Sequence, residues 1–349
     1  YDYYEVGRSA IIGGAESTGV YASDLGNRSL TWETTTEFNV GVDLGIFNNR
    51  FKLTAEYFKR KITDLLVTNK PLPFYNEINK IAGNIGSTQS QGVEITVNTV
   101  NIVTKDFEWD TTLTLSHYND RWLTRDPNWK PKPYEKENDP IRAWWEYEAL
   151  GILQPGEKVP DAQKDLVPGM MKLKDRDGNG VLGDEDKVYM GNGDPKIIYG
   201  LNNSFRYKNF DLSFQMTGQF GFKILNEPRA YYENNSIAYN RLKSVQKAPY
   251  GGQYTLSTAQ KQTFVSYYVE DGDFLKMTNI TLGYNIPLKS SKFVKNIRAY
   301  VSADNLFCIT GYDGLDPEMS NGDIWSLGID WRDKYPSTRS FTFGLNVSF

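Results

Sequence analysis

Apolar and polar residues alternate with a period of two along much of this chain, most clearly between Thr31 and Phe47. Trp32, Thr34, Thr36, Phe38, Val40, Val42, Leu44 and Ile46 would share one face, with Glu33, Thr35, Glu37, Asn39, Gly41, Asp43 and Gly45 on the other, because successive side chains of a strand point to opposite faces. A strand of that length far exceeds the usual ~5–6 residues. The alternation returns in Phe210, Leu212, Phe214, Met216 and Phe220, and again in Phe341, Phe343, Leu345, Val347 and Phe349. It predicts about nine strands, near residues 30–47, 50–66, 90–101, 106–119, 196–208, 209–221, 273–287, 297–307 and 339–349. Helical periodicity is confined to a short turn from Asp161 to Leu166.

The connections alternate in length. Phe47-Asn48-Asn49-Arg50 and Tyr207-Lys208-Asn209 read as tight turns, and the links near 101–106 and 288–296 are short. Long loops are expected at about 67–89, 120–195, 222–272 and 308–338. Long strands with one polar face, short turns at one end and long loops at the other describe an all-β, antiparallel transmembrane β-barrel. A bacterial barrel made of one chain has an even strand number and no free edge. About nine strands therefore imply a carboxyl-terminal part, residues 1–349, of a larger barrel, with the remainder before Tyr1.

Composition narrows the chemistry. The 349 residues include 23 Tyr, 18 Phe and 8 Trp, too many aromatics for a disordered chain. No run approaches the roughly 20 apolar residues of a spanning helix, so any membrane crossing would use strands. The 39 Lys and Arg are interspersed among 43 Asp and Glu, which leaves no basic footprint for nucleic acid. A single cysteine, Cys308, allows no internal disulfide, and a single histidine, His117, leaves little for imidazole catalysis. No catalytic residues are assigned.

The sharpest local motif runs from Asp175 to Asp186. Asp175, Asp177 and Asn179 at positions one, three and five, Gly180 at six, the Val181 carbonyl at seven and Asp186 at twelve match a Ca2+ loop of the EF-hand type. The competing reading is an Asp/Gly-rich turn held by side-chain-to-backbone bonds. Trp122, Trp129, Trp144 and Trp145 fall in the same long connection. They are candidates for stacking on sugar rings or peptide side chains, or for packing loop on loop.

Specific strings also resemble a known family. Leu30-Thr31-Trp32-Glu33, Asn84-Ile85-Gly86 with Gln91-Gly92-Val93-Glu94, Gly272-Asp273-Phe274-Leu275 with Asn279-Ile280-Thr281-Leu282-Gly283, and Asn305-Leu306-Phe307 occur in order. Together with the terminal Arg339-Ser340-Phe341-Thr342-Phe343, they resemble the SusC/RagA family of TonB-dependent outer-membrane transporters. Cys308 stands where that family often has Thr. The resemblance implies nine strands of a 22-stranded barrel closed by a plug that this chain lacks. It also implies TonB coupling, a SusD-like surface lipoprotein, oligosaccharide or peptide cargo, and an outer-membrane lipid environment. Phe349 resembles the carboxyl-terminal aromatic read by the barrel-assembly machinery. Two alternatives stand beside it: a passive porin, and an extracellular calcium-stabilised β-sandwich that binds glycans.

Overall fold

The structure is a computed structural model that describes residues 3–72, 80–233, 240–246, 265–288, 293–318, 327–332 and 334–349. Nine strands form one sheet: β1 (Thr34–Ile46), β2 (Phe51–Pro71), β3 (Lys80–Val103), β4 (Phe107–Thr124), β5 (Ile197–Tyr207), β6 (Phe210–Phe220), β7 (Phe274–Ile286), β8 (Asn296–Thr310) and β9 (Ser340–Ser348). Each pairs antiparallel with the sheet strand before and after it in the chain, an uninterrupted meander.

The register explains the alternation. Val42 lies beside Ala55, and that row continues through Ile95, Leu115 and Tyr199. One residue along, Asp43 lies beside Thr54, and the row runs through Thr96, Thr114, Gly200, Thr217 and Lys276. One face of the sheet is thus apolar and the other polar across every strand boundary. The apolar face is uncovered by protein: Phe343 is 79% and Phe38 60% exposed. An apolar surface of that extent needs lipid against it.

At one end the chain reverses tightly. Phe47, Asn48 and Asn49 take positive φ of 55°, 56° and 63°, and the Arg50 N–H closes the turn on the Phe47 carbonyl at 3.2 Å. Asn tolerates that conformation better than most residues. At the other end long connections fold into a layer of their own. It holds short strands such as Trp144–Tyr147, Ala149–Ile152 and Met171–Leu173, a helix at Glu227–Tyr232, and a 3-10 turn at Asp161–Gln163 inside the predicted helical turn. A cluster of Ile152, Met171, Leu173, Leu225, Val265 and Tyr268 is buried there, beside a second of Phe222, Ile224, Phe274 and Tyr312. The protein core of the described residues therefore sits in the loop layer and at its seam with the strands.

Four expectations need correction. The connection placed at 67–89 is mostly strand: β2 is 21 residues long and runs to Pro71, while β3 is 24 residues long and starts at Lys80. Those extensions rise past the lipid, where neither face has to be apolar, so the alternation that signals a strand fades while the ladder continues. For the same reason β4 reaches Thr124 and β8 reaches Thr310, which shortens the loops expected at 120–195 and 308–338. A hairpin of Tyr3–Ile12 and Ala15–Asp24, turning at Gly13-Gly14, precedes the sheet where no strand is expected. The sandwich alternative is overturned, since the nine long strands make one sheet rather than two packed sheets.

Candidate functional site

The polar face supplies the first part of the site. Thr54 Oγ1 donates to Asp43 at 2.6 Å, Thr112 Oγ1 to Asn98 at 2.8 Å, and Asn279 Nδ2 to Asp304 at 2.6 Å. Arg298 pairs with Asp211, and Arg206 with Glu108. A cavity of about 240 Å³ opens on this wall between Asp110, Thr112, Asn202, Ser213, Gln215 and Asn279. Hydroxyls, amides and paired charges make a wettable wall with hydrogen-bonding capacity along its length.

The second part lies where the loop layer meets that wall. Lys276 faces the polar side and is 4% exposed; its ammonium donates to Glu318 at 2.6 Å and Ser337 at 3.0 Å. That cross-link draws the connection between β8 and β9 over the polar face. A cavity of about 520 Å³ results, bordered by Tyr232, Leu315, Glu318, Trp331, Tyr335 and Ser337. Aromatic faces beside a few polar groups are the usual make-up of a ligand pocket.

Ion pairs lock this layer. Glu270 accepts from Arg229 at 2.8 Å, from Asn226 at 3.1 Å and from the Asp313 N–H at 3.0 Å. Arg229 also reaches Glu233 at 2.8 Å and lies 4.4 Å over the Tyr267 ring. Burial opposes the Arg229 charge, but the bond to Glu270 and the neighbouring Tyr267 and Glu233 hold the guanidinium pKa above its ordinary value. Tyr312 donates to Asp330 at 2.5 Å. Burial pushes Asp330 above the usual carboxylate range even against that donor.

The Asp175–Asp186 segment folds as a tight loop. One carboxylate oxygen from each of Asp175, Asp177 and Asp186 falls within 4.8 Å of the others. Asp186 is fully buried and accepts the N–H groups of Arg176 at 2.6 Å and Gly183 at 2.7 Å. Asp175 accepts those of Gly180 and Gly178, both at 2.8 Å, and the Gly180 bond is the largest cause of its lowered pKa. Gly178 and Gly180 carry φ of 72° and 81°, which a side chain would strain. Asn179 turns its Oδ1 to the Val181 N–H at 2.7 Å, and the Val181 side chain points to solvent. The three carboxylates converge, and the Asn179 oxygen accepts one bond within the turn.

The tryptophans are held in place by protein. The Arg125 guanidinium lies 4.6 Å from the Trp122 ring and 4.8 Å from the Trp129 ring. Trp145 stacks on Tyr134 at 5.4 Å, and Trp144 packs against the buried loop cluster. Phe349 is 76% exposed just past the end of β9. His117 faces the apolar side next to Val93, and its Nδ1 lies 2.5 Å from the Lys196 carbonyl.

Sequence reasoning missed Lys276, Arg229 and the Tyr312–Asp330 contact, all joined by partners more than a dozen residues away, and Trp331, which borders a cavity shared with another segment. A lysine at an inward position of a strand was the one visible signal for Lys276.

Apolar outer face, polar inner face, tight turns at one rim and a folded loop layer at the other define an outer-membrane β-barrel of the receptor type. A match to the TonB dependent receptor-like, beta-barrel family spans residues 1–306, and the chain belongs to that family. That membership places it in the outer membrane. TonB-dependent receptor P3 of Formosa agariphila is 30% identical over 97% of this chain and 36% of its own length. TonB-dependent receptor SusC of Bacteroides thetaiotaomicron is 28% identical over 93% of this chain and 32% of its own length. The chain thus spans about a third of these curated relatives. The solved RagAB peptide transporter shares the fold, with a TM-score of 0.77 at 21% identity, over 100% of this chain and 38% of that one.

Proposed function

We propose that this chain forms the carboxyl-terminal barrel wall of a SusC-like importer that takes up oligosaccharides or peptides. The observation that carries the reading is the Lys276 cross-link, which sets an aromatic-lined cavity of about 520 Å³ above a polar inner wall. Cargo would be held there before descending past Asn279, Gln215 and Thr112. The names SusC and RagAB peptide transporter support a surface lipoprotein of the SusD kind as partner and TonB as energy source, both reached through parts of the protein outside this chain. Trp122, Trp129, Trp144 and Trp145 are half-buried, so their remaining open faces serve as cargo contacts. Phe349 serves barrel assembly.

The Asp175–Asp186 loop would take Ca2+. Calcium needs six to eight oxygens; Asp175, Asp177 and Asp186 keep unused lone pairs on converging carboxylates. Its role is to stiffen the loop layer. Family membership leaves the passive porin without support.

The test is uptake of labelled peptide and oligosaccharide pools by cells expressing the intact polypeptide, with and without a proton-motive-force uncoupler. Energy-dependent uptake lost in Trp331→Ala supports the reading, whereas uptake that survives uncoupling returns the porin.

A further inference from the structure

The outer face of β1–β4 changes character at one level. The row Val40, Tyr57, Val93 and His117 is the last largely apolar row toward the loop end. The next is Phe38, Lys59, Gln91 and Asn119, and the one above it is Thr36, Lys61, Gln89 and Arg121. These two rows hold three cations, three amides and no carboxylate. On the inner face of the same strands the charges are mixed: Arg60 pairs with Glu37, and Asp120 with Arg142. Among the described residues no carboxylate pairs with Lys59, Lys61 or Arg121. Lys59, Lys61 and Asn119 are exposed, Gln89 donates to Gln91 at 3.1 Å, and the Arg121 Nε is buried with no hydrogen-bond partner.

Height identifies the ligand. The eight steps of β4 from Trp109 to His117 rise about 27 Å along the strand and span roughly 21 Å of membrane at a tilt of about 40°. Lys59 and Lys61 follow Tyr57 by two and four residues, so they stand roughly 5 and 10 Å above the apolar band. Headgroups occupy about the first 5–8 Å outside the hydrocarbon. The Lys59 ammonium stands at that depth, and the long side chains of Lys61 and Arg121, one row higher, can carry their charged heads down to it; such groups suit phosphate oxygens, and the exposed Asn119 amide offers a donor to a sugar. The geometry points to this patch as a binding site for the phosphorylated headgroup of an anionic outer-leaflet glycolipid. A soluble protein partner fits less well, since the patch is continuous with the lipid-facing wall.

The test uses the intact polypeptide that carries this chain, purified in neutral detergent and mixed with a bisphosphorylated glycolipid or a zwitterionic phospholipid, with bound lipid counted by native mass spectrometry. The wild type should retain the glycolipid at least fivefold over the zwitterionic lipid, and less as salt rises. The triple variant Lys59→Gln, Lys61→Gln, Arg121→Gln should lose that preference, while Lys105→Gln with Lys208→Gln, at the opposite rim, should keep it. Should the triple variant fail to fold, the exposed single change Lys61→Gln and the salt titration of the wild type carry the test. Equal retention of both lipids, an unaltered preference in the patch variants, or the same loss in the rim control overturns the site. Displacement of the lipid by inorganic phosphate alone would assign the patch to a free anion instead.

Discussion

Gly86 and Gly92 show how single residues set the wall. A Cβ at Gly86, where φ is 28°, would stand 2.0 Å from the Thr124 carbonyl, and one at Gly92 would stand 2.3 Å from the His117 carbonyl and 2.8 Å from the Phe58 ring. Both glycines let β3 lie close against β4. Gly92→Ala should therefore cost about 1–3 kcal/mol, the range for forcing extra volume into a packed site, measured by denaturant unfolding in bilayers. Orientation gives a second expectation. Leu282 sits between Leu212 and Val301 on the apolar face and is 50% exposed, whereas Asn279 donates to Ser302 and Asp304 on the polar face. Leu282→Arg should cost about 2–4 kcal/mol near the midplane and Asn279→Arg much less; equal costs would reverse the faces. These faces were legible in the sequence because lipid and water each impose one polarity on every second residue. The glycine contacts were not, because they depend on which strand lies alongside.

At the scale of elements, legibility followed the lipid. Strands were readable where one face had to be apolar and unreadable at residues 80–89, where the ladder of β3 continues through Asn84, Gly86 and Ser87 outside the membrane. Asn84 there binds the Thr31 N–H at 2.9 Å and the Thr31 and Asp64 carbonyls at 2.9 and 2.7 Å, tying down the approach to β1. The Asp175–Asp186 loop was readable from spacing alone, whereas the packing of the tryptophans rests on Arg125 and Tyr134. Chelation should raise proteolysis between Asp161 and Asp194 if calcium fills the loop, and Asp186→Asn should mimic it; identical cleavage with and without chelator would favour the metal-free turn. Two carboxyls give opposite pH responses. Asp330 has a raised folded pKa, so its stabilising effect is complete below about pH 3.9, the unfolded value, and fades as pH climbs through the raised one. Asp175 has a lowered pKa, so its effect is complete above about pH 3.9 and is lost as pH falls through the lowered one. Hydrogen exchange should show the pairing of Leu225 and Asn226 with Ile329 and Asp330 gaining protection as pH falls through the raised Asp330 value towards about 3.9, and Asp330→Asn should flatten that change. No pH dependence in the wild type would remove Asp330 from this role.

The molecule as a whole consists of a wall and a cap with different solvents. Between them the seam joins the apolar cluster around Phe274 to specific polar links, made by Lys276 with Glu318 and Ser337 and by Arg142 with Asp120 and Asp194. The general architecture was legible from strand length and the alternation of short and long connections; the cavity was not, since its border is drawn from two loops far apart in sequence. The buried apolar clusters lie in the cap and at the seam, while the wall keeps its apolar side chains outward. Heat should therefore take the molecule apart in two calorimetric events. The cap event should move with pH and ionic conditions and ignore detergent chain length, and the wall event should do the reverse. A cell could then refit the cap to a new diet by changing loop sequence while the machinery that inserts the wall meets the same surface each time.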